Sequence, residues 1–100
     1  MNTQNQFINQ AIAELAVVRL LGLPTEAIEN LSSYGIRVLL HGTSGVEQDV
    51  ASGNLVFLCE RVGERVVRIS GIQEVDNDGG VPTFTKVPME KEAIRQKLGL

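Results

Sequence analysis

Two β-type segments separated only by Gly63 and Glu64 constrain the fold more than any other feature of the chain. Residues 55–62 begin with an unbroken apolar run, whereas residues 65–75 alternate between apolar and polar side chains. Two such segments joined by a tight turn predict an antiparallel β-hairpin. A glycine inside the second strand, Gly71, favours a β-bulge. The hairpin residues expected in the core are Leu55, Phe57, Val67 and Ile69.

Helical periodicity and further strand signals lie on both sides of this hairpin. The predicted elements, in order, are helices over about 5–21 and 25–33, a strand over 36–41, the hairpin, an edge strand over 83–87 and a helix over 89–98. Gly35 is placed to end the second helix in a left-handed conformation. This order predicts an α+β fold with an N-terminal helical hairpin, a sheet of three or four antiparallel strands and a C-terminal helix. Residues 1–100 are expected to form a single small domain.

The first helix carries two apolar stripes rather than one. The stripe predicted to face the core consists of Phe7, Ile8, Ala11, Ile12, Leu15 and Val18. The residues that lie outside it are Val17, Leu20 and Leu21. A helix that is apolar nearly all round must be covered on more than one side. We therefore predict that Val17, Leu20 and Leu21 form an interface with a second copy or with another protein.

Composition excludes several function classes. The chain has 43% hydrophobic residues and 21% charged residues, which is too apolar for a disordered tail. A net charge of −3 argues against a nucleic-acid partner, since proteins that bind duplexes are usually basic. A single Cys and a single His predict no disulfide and no metal site, and no cofactor motif is present. No secretory signal or membrane-length apolar run is found, so we expect a cytoplasmic protein without membrane insertion.

Three residues in the middle of the chain resemble parts of a catalytic site. His41 precedes the loop Gly42–Gly45, and a minor hydrolase that uses His41 and Ser44 is one alternative. The loop has neither the lysine of a phosphate-binding loop nor the full spacing of a nucleophile elbow. We interpret it as a serine-capped turn next to a structural histidine. Cys59 lies inside the apolar strand and is expected to be buried and unreactive.

Three arginines lie along the predicted hairpin, at Arg61, Arg65 and Arg68, and glutamates are interleaved with them. The favoured interpretation is a solvated sheet face with cross-strand ion pairs. The alternative is a small anion- or RNA-binding patch formed by Arg61, Arg65 and Arg68.

Residues 52–75, SGNLVFLCERVGERVVRISGIQEV, resemble a late hairpin in the motor domain of traffic ATPases, which drive conjugation, type IV secretion and pilus assembly. In that family an apolar strand, a short polar turn and an arginine-rich return strand follow one another. The resemblance covers about a quarter of the chain. The family's nucleotide-binding lysine motif has no counterpart, so the resemblance implies a piece of such a protein and transfers no ATPase residue. It also implies a second alternative, an accessory protein of a mobile element or secretion system.

Taken together, these patterns predict a small, non-catalytic, intracellular protein-interaction domain. We expect this domain to self-associate. The expectation depends on the surplus of apolar surface on the first helix and on the lack of a catalytic constellation.

Overall fold

The computed structural model describes residues 3–40, 53–76 and 80–100 of the chain. Helix α1 (Thr3–Leu21) is followed by a 3-10 helix (Thr25–Tyr34), and the chain closes with helix α2 (Lys91–Lys97). Four strands lie between these helices: β1 (Ile36–Leu40), β2 (Leu55–Gly63), β3 (Val66–Asp76) and β4 (Thr83–Lys86). The α+β class is therefore confirmed.

The sheet is mixed, and the expectation of a wholly antiparallel sheet is wrong. Its order is β1-β2-β3-β4, and β1 pairs with β2 in parallel, with Ile36 opposite Leu55 and Leu40 opposite Cys59. The other two pairings are antiparallel. Residues 41–54 separate β1 from β2. A connection of that length is typical of a crossover between parallel strands, whereas antiparallel neighbours usually need only a short loop.

The β2–β3 hairpin is confirmed, including its bulge. Leu58 lies opposite Gly71 and Cys59 lies opposite Ile69, so β3 carries one extra residue at this point. Arg65 in the turn adopts a left-handed conformation with φ 56°, the only positive φ among the described non-glycine residues. A side chain there costs energy that glycine would avoid.

The N-terminal pair of helices is confirmed only in part, because the second helix is a 3-10 helix. Asn30 has non-helical angles (φ −142°, ψ 43°) and interrupts it. Gly35 ends the segment at φ 78°, as expected. Helix α2 is shorter than predicted. It is tied to α1 through Arg95, which donates to the Leu21 carbonyl, and to β3 through the Lys97–Glu74 ion pair at 3.0 Å.

One hydrophobic core lies between the helices and a single face of the sheet. Leu55 and Phe57 are fully buried in it, as predicted, and Val67 and Ile69 pack against it while staying partly exposed. A small second cluster, Val56 and Val75, lies on the opposite face of the sheet.

Helix α1 contributes to the core with a different side from the one predicted. Its fully buried residues are Ala13, Val17, Val18 and Leu21. Of the six residues in the predicted core stripe, only Val18 is among them.

Candidate interaction surface

An apolar stripe faces outward along the N-terminal half of α1. Phe7 is 72% exposed, Ala11 is exposed, and Ile8, Ile12 and Leu15 are partly exposed. We call these residues the outer stripe: Phe7, Ile8, Ala11, Ile12 and Leu15. None of them packs against either hydrophobic cluster. Helical spacing places Ile8, Ala11, Ile12 and Leu15 on one side of the helix, with Phe7 beside them.

The inward side of the same helical turns is more polar than the outward side. Asn9 is only 5% exposed, and its Oδ1 has no hydrogen-bond partner among the described residues. Gln10 donates from Nε2 to the Val38 carbonyl of β1 at 3.0 Å and to Glu14 at 3.3 Å. Protein helices usually bury their apolar side and expose their polar side. Among the described residues, the first half of α1 therefore has a polarity opposite to the usual one.

The prediction that Val17, Leu20 and Leu21 form an exposed interface is wrong. Val17 and Leu21 have no exposed surface, and Leu20 packs against the core. Val17 and Leu21 are therefore covered by the chain itself and offer nothing to a partner, whereas Leu20 keeps part of its surface exposed. The sequence revealed two apolar stripes on α1, and the prediction assigned the core to the wrong one.

The three hairpin arginines do not form one patch. Arg61, Arg65 and Arg68 are all exposed. Arg68 donates from Nε to Glu60 at 2.7 Å, directly across the strand pair. Because successive side chains alternate between the two faces, Arg61, opposite Val67, lies on the other face of the hairpin from Arg68. This arrangement is the cross-strand ion pairing expected from the sequence.

The hydrolase alternative depends on His41 and Ser44, which lie outside the described residues. Within the described ranges, no group of three or more His, Cys, Asp or Glu side chains is placed to hold a metal ion. Cys59 is buried and unpaired with another cysteine. Burial raises the pKa of its thiol from 9.0 to about 11, so the reactive thiolate is scarce at neutral pH.

A shallow open depression of about 490 Å³ lies against the 3-10 helix. Its lining residues are Pro24, Glu26, Ala27, Glu29, Asn30 and Tyr34. Glu26 and Glu29 are exposed there, and no histidine, cysteine or serine is found among the described residues that line it.

Comparison with known proteins gives no relative. No protein-family model matches the chain, and no curated protein or solved structure is significantly similar to it. The resemblance of residues 52–75 to the hairpin of traffic ATPases stays a prediction. Among the described helices, none has both the length and the apolar character needed to cross a bilayer.

Proposed function

We propose that the chain is a non-catalytic protein-interaction domain. We further propose that it self-associates through the outer stripe of α1. The observation that supports this proposal is the reversed polarity of the first half of α1. Phe7 is 72% exposed on the outside of the helix while Asn9 is buried on the inside. Burying a phenylalanine completely contributes about 1.5–3 kcal/mol, so leaving Phe7 in water forfeits most of that gain.

The hydrogen bonds of α1 support this orientation of the helix. Gln10 reaches the Val38 carbonyl of the edge strand β1, which fixes the rotation of the helix about its axis. Rotating the outer stripe toward the sheet would break that bond and expose Val17 and Leu21 instead. The outer stripe therefore stays on the side of α1 that faces away from the sheet, and a second copy would cover the surface that the described residues leave exposed there.

Self-association is measured by light scattering across a micromolar concentration series. The wild-type chain should give a mass of about twice 10.9 kDa at the upper end of the series. Phe7→Glu should return the mass to that of a monomer, because it places a charge on a large exposed apolar side chain of the proposed contact. Circular dichroism should show the same secondary structure for both proteins, since Phe7 makes no contact with the core.

The matched control is Val62→Glu. Val62 is 50% exposed at the end of the hairpin, outside the outer stripe, so the same new charge there should leave the mass unchanged. A wild-type chain that remains monomeric throughout the series would overturn the proposal. Equal effects of Phe7→Glu and Val62→Glu would also overturn it.

A further inference from the structure

Residues 88–100, which include helix α2, are attached to the rest of the fold through side chains, and we call this segment the strap. We propose that the strap opens from the rest of the fold as a unit, without global unfolding, and that salt promotes its opening. The proposal follows from the backbone hydrogen bonds of the strap, from its burial and from the charges that hold it. It does not depend on the self-association proposed above.

The backbone of the strap bonds only to itself within the part of the chain that the structure describes. The Ile94 amide donates to the Glu90 carbonyl at 3.0 Å, and the Leu98 amide donates to the Ile94 carbonyl at 3.1 Å. The last backbone bond to the sheet comes just before the strap, where the Val87 amide donates to the Ile72 carbonyl of β3 at 2.9 Å. The strap can therefore part from the sheet after Val87 without breaking a bond of the strand ladder.

The strap buries little of its own surface. Ile94 is its one buried residue; Ala93, Arg95 and Leu98 are partly exposed, and the other nine residues are exposed. Ile94 belongs to the main core cluster, and Leu98 packs against that cluster. Helix α2 spans only seven residues, and a helix of that length is not stable alone in water. Segments with few buried apolar contacts and many exposed backbone bonds open at a lower free energy than the rest of a fold.

Two cations of the strap lie at the C-terminal end of α1. Arg95 donates from Nη1 to the Leu21 carbonyl. Lys91 lies beside Gly22, where a β-carbon in place of the glycine hydrogen would be 3.4 Å from Lys91 Nζ. The C-terminal end of a helix carries partial negative charge, so it attracts both side chains, and salt screens this attraction.

A third cation, Lys97, ties the strap to β3. Its Nζ pairs with Glu74 at 3.0 Å, and both side chains are more than one-third exposed. Within the described residues, Arg95 and Lys97 make the side-chain hydrogen bonds that join the strap to the remainder of the fold. Both bonds come from a cationic group, so the polar part of the attachment weakens as the ionic strength rises.

Hydrogen exchange of the backbone amides, followed by NMR, measures this opening. The Ile94 and Leu98 amides should share one protection factor and one urea dependence, both smaller than those of the most protected amides of β2 and β3. Raising the NaCl concentration from about 0.1 M to about 1 M shortens the Debye length from about 10 Å to about 3 Å. This change should lower the protection of Ile94 and Leu98 severalfold while the amides of β2 and β3 keep theirs.

Methionine variants assign the opening to the cations, because methionine removes the charge and keeps a long side chain. Arg95→Met loses a charge-assisted hydrogen bond, so it should increase the opening of the strap about tenfold or more and reduce its salt dependence. Lys97→Met should increase the opening less than about fivefold, since exposed ion pairs contribute little. Lys86→Met is the matched control: Lys86 is exposed on β4, outside the strap, and its loss should leave the protection of Ile94 and Leu98 unchanged.

Three results would overturn the proposal. If Ile94 and Leu98 exchange with the same protection and urea dependence as the most protected amides of β2 and β3, the strap opens only when the whole chain unfolds. If their protection is unchanged by salt and by Arg95→Met, the cations do not hold the strap. If Lys86→Met opens the strap as much as Arg95→Met does, the effect belongs to the net charge and not to these contacts.

Discussion

Replacing Asn9 by leucine should stabilise the fold. Asn9 is 5% exposed, and its Oδ1 has no donor among the described residues. A buried polar group without a partner costs about 1–3 kcal/mol, and an apolar side chain at the site does not incur that cost. We therefore expect Asn9→Leu to raise the free energy of unfolding by about 1–3 kcal/mol, less any strain from the larger side chain.

Urea denaturation at one fixed protein concentration measures this change, because dimerisation would otherwise contribute to the apparent stability. The matched control is Asn9→Asp, which has nearly the same shape but introduces a carboxylate. Burial should raise the pKa of that carboxyl, so Asn9→Asp should be destabilising at pH 7 and recover as the pH falls and the group is protonated. An Asn9→Leu chain that is less stable than the wild type by more than about 1 kcal/mol would contradict this expectation.

The further predictions concern three residues of the hairpin. Phe57 is fully buried, so Phe57→Ala should lower the free energy of unfolding by about 3–5 kcal/mol in the same assay. Arg65 is exposed with φ 56°, and Arg65→Gly should raise the melting temperature because it relieves about 1 kcal/mol of backbone strain. Burial raises the pKa of Cys59 from 9.0 to about 11, so a thiol reagent at pH 8 should react far more slowly with the native chain than with the urea-unfolded chain. The same raised pKa favours the folded state below pH 9, and that contribution should diminish as the pH rises toward 11.

The hairpin was predictable from the sequence because its signals are local. The residues that define β2, β3 and their turn lie within 55–76, and alternation within that segment also indicates which side chains face the core. The bulge near Gly71 and the left-handed Gly35 were predictable for the same reason, since each depends on the backbone freedom of one residue.

The direction of β1 was not predictable in the same way. Its five residues show the composition of a strand, but nothing in them distinguishes a parallel partner from an antiparallel one. The pairing with β2 is decided by the length of the connection over 41–54 and by the covering helices. The only sequence signal available was that length, which is too great for a simple hairpin loop.

The orientation of α1 shows most clearly where local patterns fail, and it also explains the candidate surface. Hydrophobicity favoured the stripe with Phe7, Ile12 and Leu15 as the core side, because it contains the larger apolar residues. The core instead receives Ala13, Val17, Val18 and Leu21 of this helix. Local hydrophobicity therefore does not identify the side that enters the core, because both sides of the helix carry large apolar residues. A helix whose solvent-facing side is more apolar than its buried side is suited to contact with another chain on the solvent-facing side.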